Sequence, residues 1–389
     1  MNDFNKLRLK YHGCPEKLWE ILQEECRYKT AKKLPETLKN PDFIFPSLAV
    51  AEMATSDAVA KVHADMINDG DTVLDMTCGL GIDSFHLASK ASNVTAIEID
   101  PESYRAATHN AKALNLNNIS IIEGDSVAWL DANNETFDVI FIDPARRDSS
   151  GRHFALKDCQ PDVTTALPLL LSRCDKLIIK CSPMLSIDAA KKELGVECDI
   201  VVIGTPKECK EMVFVIDGNR SANVNTETAS KKAVKCETIG HDEFLFYPDD
   251  EKDMNVEYSI PEKGGYIHEA YPAVMKGGGY RTLANRFGLY KLHPNTHLYY
   301  SEKEIADFPG EKFNILEIFP SSKQTYKEFA KKYPKINVAT RNFPLSTPEL
   351  VKKLKVKEGG DKMVFGITVS NGGKLLVVTD MGIKSKANI

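Results

Sequence analysis

The stretch VLDMTCGLGID, residues 73–83, joins a short apolar run to a glycine turn and continues into the helical pattern FHLASKAS. This succession predicts a strand, a tight turn and a helix, as at many nucleotide-binding sites. The segment VTAIEID, residues 94–100, supplies the next strand of the same unit. The two segments together predict a ligand site at the carboxyl ends of neighbouring parallel strands.

Outward from this stretch, apolar strand-like runs alternate with helical patterns, which predicts an α/β fold with a largely parallel, doubly wound sheet. The predicted strands are 72–75, 94–99, 119–122, 138–142 and 176–180. The predicted helices are 82–90, 101–115, 126–131, 160–173 and a stretch ending near residue 194. Two further strand-like runs, CDIVVIG and EMVFVID, flank the short link TPKECK. We therefore expect a closing hairpin that makes the last strand antiparallel.

Length and composition predict an ordinary globular protein of two or three domains, since 389 residues are 42% hydrophobic and 27% charged. No apolar run approaches the roughly 18 residues that a membrane helix needs. The nine cysteines form no CxxC pair. We therefore expect a reduced, cytoplasmic chain with no metal site and no membrane contact.

Four regions are predicted along the chain. Residues 1–70 form a helical region, and His63 within it is expected to be a plain surface or packing histidine. Residues 71–218 form the α/β domain, followed by a polar linker over 219–237. Residues 238–316 and 317–389 form small α+β domains. The tail 311–389 carries 15 Lys and Arg against 7 Asp and Glu, which suits either nucleic-acid contact or a solvated lysine face.

The glycine turn points to the class of cofactor. Gly79 and Gly81 let a ligand approach the backbone closely, but Ser84 stands where a dinucleotide-binding turn would have its third glycine. Asp75 ends the preceding strand. A carboxylate repels a diphosphate and attracts an ammonium group. The cofactor expected here carries an amino group and no phosphate, and S-adenosylmethionine fits.

Acids end the following strands as well. Glu98 is expected to accept hydrogen bonds from both ribose hydroxyls, and Asp125 to meet an adenine amino group, with Asp143 as the fourth strand-end acid. Each acid alone could be a helix cap, whereas four at successive strand ends favour a ligand site. The predicted cofactor-binding residues are Asp75, Thr77, Cys78, Gly79, Gly81, Glu98, Ile99, Asp125, Ser126 and Asp143.

Residues 72–217 resemble the class I S-adenosylmethionine-dependent methyltransferases in the glycine motif, the strand-end acids and the closing hairpin. The resemblance implies a seven-stranded Rossmann-like sheet whose last strand is antiparallel. VLDMTCGLGIDSFHLA, IEIDPESYRAATHNA and FIDPARR resemble the branch that modifies RNA. The whole chain is similar to a bacterial family with a ferredoxin-like segment, here FGLYKLHPNTHLYYS, and a THUMP-like C-terminal domain. That resemblance implies tRNA or rRNA as partner; no obligate protein partner is inferred.

The predicted reaction site follows the fourth strand. Amino-methylating relatives carry D-P-P-aromatic there, whereas this chain has Asp143, Pro144, Ala145 and Arg146. The plane of an arginine can also stack on a base. The predicted catalytic residues are Asp143, Pro144 and Arg146. The alternative is that Asp143 is only a helix cap near the cofactor.

The loop RRDSSGRHFALKD is predicted to bind substrate, because arginine forks match phosphate oxygens. Its predicted contact residues are Arg146, Arg147, Arg152 and Lys157; a solvated basic loop is the alternative. Cys181 follows the fifth strand, where 5-methylcytosine enzymes place a nucleophile. The companion cysteine of those enzymes is absent, so a packing role is the alternative for Cys181.

The leading hypothesis is a methyltransferase that uses S-adenosylmethionine to methylate a base in tRNA or rRNA. One rival is a weak or inactive protein of the same fold that binds RNA or assists assembly. Another is a methyltransferase that acts on a protein or a small molecule.

Overall fold

The computed structural model describes residues 3–146, 155–218, 231–381 and 383–384. The predicted substrate residues Arg147 and Arg152 lie outside the described residues, as does His153. The chain divides into two compact units, Met1–Asp199 with Met212–Ala229 and Ile200–Glu211 with Ser230–Ile389.

The N-terminal region is helical, as predicted. Its helices are α1 (Phe4–Lys10), α2 (Pro15–Thr30), α3 (Leu48–Met53) and α4 (Asp57–Ala64). The apolar stripe of α2 buries Ile21 and Cys26. The hydroxyl of Ser56 accepts a hydrogen bond from the Val59 N–H and so caps α4.

Strands and helices then alternate. The strands are β1 (Thr72–Asp75), β2 (Asn93–Glu98), β3 (Ile119–Glu123), β4 (Phe137–Ile142), β5 (Ala145–Arg146), β6 (Cys159–Gln160), β7 (Cys174–Cys181), β8 (Asp199–Gly204) and β9 (Cys209–Asp217). The helices are α5 (Ile82–Leu87), α6 (Pro101–Ala113), α7 (Ser126–Ala132), α8 (Val163–Arg173) and α9 (Ile187–Leu194).

In the first unit the strands lie in the order β9, β7, β4, β1, β2, β3. All neighbouring pairs from β7 to β3 are parallel, and β9 runs antiparallel to β7. The turn before β9 closes where the Thr205 N–H donates to the Glu208 carbonyl. The predicted Rossmann-like sheet with an antiparallel last strand is confirmed.

The N-terminal helices share a core with the helix that follows the glycine turn. Phe43, Phe45 and Leu34 are at most 1% exposed and belong to the same apolar cluster as Leu80 and Phe85. Burying a side chain of this size stabilises a fold by roughly 1.5–3 kcal/mol. The N-terminal region therefore stabilises α5 and the turn before it.

Within its described residues, the second unit contains β8, ten further strands and five helices. The strands are β10 (Val234–Thr238), β11 (Phe244–Phe246), β12 (Tyr266–Ala270), β13 (Tyr290–His293), β14 (Thr296–Ser301), β15 (Gly310–Pro320), β16 (Asn337–Arg341), β17 (Lys362–Thr368), β18 (Lys374–Asp380) and β19 (Ile383–Lys384). The helices are α10 (Pro248–Asp253), α11 (Pro272–Gly277), α12 (Tyr280–Phe287), α13 (Lys323–Lys332) and α14 (Thr347–Leu354).

A sheet in the order β13, β14, β12, β15, β18, β17, β16 organises this unit, and β10 pairs in parallel with β8. The predicted hairpin around Asn371 and Gly372 joins β17 to β18, and Gly372 has a φ of 82°. One prediction is wrong: β10 begins inside the expected linker 219–237, because Val234 and Cys236 are buried on one face of a strand.

No helix in the described ranges is long and apolar enough to cross a bilayer.

Candidate active site

Asp75, at the end of β1, accepts hydrogen bonds from the glycine turn and from the helix that follows it. One carboxylate oxygen accepts a hydrogen bond from the Thr77 N–H at 2.9 Å, and the other accepts from the Ser84 hydroxyl. Gly81 has a φ of 91°, and a Cβ there would lie 2.3 Å from the Phe85 ring. The turn therefore requires glycine for both backbone conformation and space.

Glu98, at the end of β2, also accepts a hydrogen bond from this turn. Its Oε2 accepts the Gly79 N–H at 2.6 Å, and its Oε1 accepts the Asp100 N–H at 2.8 Å. Each oxygen of a carboxylate can accept a further hydrogen bond. Glu98 can therefore hold the turn and still receive two neighbouring hydroxyl groups.

Asp75 is 1% exposed, and burial raises its pKa to about 7 despite its hydrogen bonds from Ser84 and Thr77. Neighbouring carboxylates of Asp83 and Asp143 raise the pKa further. A nearby ammonium group would favour the ionised form. The turn is thus built over a carboxyl group that a cationic ligand would help to ionise.

The next strand ends carry two more predicted cofactor residues. Ile99 is 58% exposed and directly follows Glu98, so it offers an apolar surface beside the acid. Asp125 is exposed and caps α7, with its Oδ1 accepting the Val127 and Ala128 N–H groups. Ser126 is buried at the start of that helix. The cap accounts for one oxygen of Asp125 and leaves its role toward a ligand a prediction.

Asp143 comes directly after β4 and is tied to the glycine turn. Its N–H donates to the Thr77 hydroxyl at 2.7 Å, and its side chain is 42% exposed. The chain continues into the short strand β5, so no helix begins at Asp143 for it to cap. This argues against the helix-cap alternative.

Family models match a methyltransferase domain at residues 67–194, a ferredoxin-like domain at 266–309 and a THUMP-like domain at 310–381. An uncharacterized S-adenosylmethionine-dependent methyltransferase of Mycobacterium tuberculosis is 26% identical over 93% of this chain and 95% of its own. A solved structure described as a methyltransferase from Porphyromonas gingivalis is 29% identical, with a TM-score of 0.83 over 97% of this chain and 96% of that one.

This chain contains a methyltransferase domain and is similar over its length to an S-adenosylmethionine-dependent methyltransferase. A 23S rRNA uracil-C5 methyltransferase of Aliivibrio salmonicida is also similar, with 28% identity over 36% of this chain and 32% of its own.

Beside Asp143 the methyltransferase has a buried polar network that the sequence did not reveal. Lys180 of β7 places its Nζ 2.8 Å from Asp143 Oδ2 and 2.7 Å from the Thr55 hydroxyl. Asp83 lies 2.8 Å from His63 Nδ1 and accepts the Thr55 hydroxyl at 2.6 Å. His63 is fully buried, which is compatible with the packing histidine that was expected, and it also pairs with Asp83. A lysine inside the apolar run LIIKC was the available signal.

The remaining predicted residues of the methyltransferase are not brought into this network. Lys157 is exposed, and its N–H donates to Glu193. Arg146 lies in β5. Cys181 is buried at the end of β7, on the opposite face from Lys180 because side chains alternate along a strand.

Proposed function

We propose that this methyltransferase binds S-adenosylmethionine at the turn between β1 and α5 and methylates a base in RNA. The observation that carries the cofactor assignment is the bond between Glu98 and the Gly79 N–H, which sets the strand-end acid against the glycine turn. Asp75 would face the amino group, Glu98 the ribose, and Ile99 with Asp125 the adenine. Thr77 and Cys78 would line the turn.

RNA as the acceptor is supported by two separate observations. The THUMP-like segment 310–381 lies in the basic part of the chain, where positive charge favours contact with phosphates. The rRNA methyltransferase from Aliivibrio is similar to this chain over 148 residues. The loop residues Arg146, Arg147, Arg152 and Lys157 would then contact RNA phosphates.

The cofactor supplies a methyl group that is already activated, so the protein contributes mainly proximity and orientation. Asp143 accepts a hydrogen bond from the attacking group of the base and aligns it. Pro144 stiffens the chain after Asp143 because proline fixes its own φ. Arg146 would stack on the base.

A second candidate is methylation at carbon 5 of a pyrimidine, which the uracil-C5 methyltransferase relative favours. That reaction needs a nucleophile to add at carbon 6, and Cys181 at the end of β7 is the candidate. Its face of the strand is opposite to that of Lys180 and Asp143, which makes this the weaker of the two assignments.

The cofactor assignment is tested by calorimetry with S-adenosylmethionine on Glu98→Gln. We expect at least a tenfold weaker affinity, since a charged hydrogen-bond acceptor is worth roughly 1.5–3 kcal/mol. Glu123→Gln is the matched control, because Glu123 pairs with Glu98 in the β2–β3 register and is exposed. Equal affinity of both variants and the parent would refute the proposed cofactor site.

The acceptor is tested by nucleoside mass spectrometry of tRNA and rRNA from cells with and without the gene. A methylated nucleoside that disappears with the gene supports the proposal, and a 5-methylpyrimidine would favour the Cys181 chemistry. Unchanged RNA together with tight cofactor binding would support the rivals: an RNA-binding or assembly protein, or a methyltransferase for protein or small molecules. The four-region division of the chain stays a prediction.

A further inference from the structure

A buried lysine contacts Asp143 of the predicted reaction site. Lys180 is 9% exposed, and its ammonium group has three donors to satisfy. Two of its neighbours are the Thr55 hydroxyl at 2.7 Å and Asp143 Oδ2 at 2.8 Å. Asp83 Oδ2 lies 3.7 Å away as a second negative charge.

Asp83 anchors this lysine from the interior. Burial alone would raise the pKa of Asp83, but the charges of Lys180 and His63 and the hydrogen bonds from His63 and Thr55 lower it well below its usual range. The lowered pKa favours the ionised form of Asp83 at neutral pH. This negative charge keeps the ammonium of Lys180 in place between α5 and the end of β4.

Asp143 is the exposed end of the same chain of contacts. Its side chain is 42% exposed, against 11% for Lys180 and 12% for Asp83. Its backbone is fixed separately, by the hydrogen bond to the Thr77 hydroxyl. Lys180 therefore binds the Oδ2 of the Asp143 carboxylate. This carboxylate lies at the strand edge where the acceptor must approach.

We propose that Lys180 is a positioning residue of methyl transfer, orienting the Asp143 carboxylate and keeping it ionised so that it accepts a hydrogen bond from the attacking group. This inference rests on the proposed function, because it assigns Asp143 to the acceptor. Lys180 itself touches neither cofactor nor acceptor in this role.

The charges that face Asp143 explain why a cation is needed there. Asp75 ends β1, and Asp83 lies in α5, where it pairs with His63 of α4. Two carboxylates near a third favour its protonated form. Lys180 of β7 is a cation in contact with Asp143, so removing its charge takes a favourable interaction away from the ionised carboxylate.

The test compares Lys180→Met with the control Lys176→Met. Lys176 lies four residues before Lys180 on the same face of β7. Its Nζ donates to the Met66 carbonyl instead of to an acid. Single-turnover transfer of labelled methyl to total RNA from cells lacking the gene should fall roughly 100-fold in Lys180→Met and stay unchanged in the control. Binding of S-adenosylhomocysteine should change less than about threefold, since the hydrogen bonds of Glu98 and Thr77 remain.

A double-mutant cycle with Asp143→Asn separates positioning from general stability. If Lys180 acts through Asp143, the two losses should overlap, so that the double variant is no slower than Asp143→Asn by more than about threefold. Additive losses would overturn the proposal. The thermal unfolding midpoint of each variant shows whether the protein is folded at the assay temperature.

A carboxyl titration decides the inference even if total RNA is not an acceptor. In carbon-detected NMR, with the Asp143 signal assigned by Asp143→Asn, Lys180→Met should move the titration midpoint upward by about one unit or more. An unchanged midpoint would overturn the role of Lys180. Failure of methyl transfer by the parent, with the midpoint shifted as expected, would count against the RNA acceptor alone.

Discussion

At the scale of single residues, the strand-end acids differ in how they are held. Glu98 keeps acceptor capacity on both oxygens after binding Gly79 and Asp100. Asp75 is buried, and its pKa is raised to about 7. Under the proposed function, these two carboxylates at neighbouring strand ends would bind different partners, Glu98 the hydroxyl groups and Asp75 a cation.

The raised pKa of Asp75 predicts a distinctive dependence of stability on pH. Between its ordinary value of 3.8 and about 7, the folded state keeps a proton that the unfolded state has lost. Stability should therefore fall as pH rises through this range, and Asp75→Asn should remove that part of the fall. Thermal unfolding from about pH 4 to about pH 8 measures it.

Asp100→Asn is the control of opposite sign. The backbone hydrogen bond from Ser103 and the Ser103 side chain lower the pKa of Asp100, so its contribution is present at neutral pH and is lost as pH falls. If the unfolding midpoints of the parent and of Asp75→Asn change with pH in the same way, Asp75 does not cause the fall in stability toward neutral pH.

The polar network shows why some site residues could not be predicted. Asp75 and Glu98 follow apolar strands, so their position at the sheet edge can be read from the sequence. Lys180 meets Thr55 and Asp143, which lie 125 and 37 positions away along the chain. Such pairings depend on how α4 and β7 are placed in the fold, and no local pattern encodes that placement.

At the scale of elements, apolar periodicity located the parallel strands well, because each is flanked by glycine or capping residues. The predicted helix 160–173 in fact begins at Val163, since Asp162 accepts the Thr164 and Thr165 N–H groups as the cap. Strand β10 escaped prediction because its alternation spans only five residues and lies in a threonine- and lysine-rich stretch.

The turn between β1 and α5 gives a prediction at this scale. Gly81→Ala should destabilise the protein by roughly 2–4 kcal/mol, since the left-handed backbone and the contact with buried Phe85 both oppose a Cβ. Urea unfolding measures the loss, and cofactor affinity should fall with it.

Gly195→Ala provides the matched substitution. Gly195 also has a left-handed φ, of 66°, but a Cβ there meets nothing within 4 Å. It should cost only about 1–2 kcal/mol and leave cofactor affinity intact. A loss at Gly81 no greater than that at Gly195 would show that the Phe85 contact does not matter.

At the scale of the whole molecule, the N-terminal helices pack against the glycine turn and α5 and stabilise them. The sequence predicted their helicity, but their packing against Leu80 and Phe85 required the structure, because amphipathic periodicity identifies a buried face without naming its partner.

Phe45→Ala should therefore act at a distance. Removing a side chain that is 0% exposed should cost roughly 3–5 kcal/mol and weaken cofactor binding, although Phe45 lies outside the turn. Unfolding and calorimetry on the same variant measure both effects. Trp19→Ala, at a position 44% exposed on α2, should change neither by much. An unchanged affinity in folded Phe45→Ala would show that the N-terminal region does not support the turn.

The division into two units has a consequence for anyone who wishes to separate them. The chain leaves the first unit after Asp199, returns to it at Met212 and later leaves it again. A fragment ended at residue 199 would lack β9, and the exposed edge of β7 would invite aggregation. No single truncation point yields either unit intact, so the two units must be expressed and purified together.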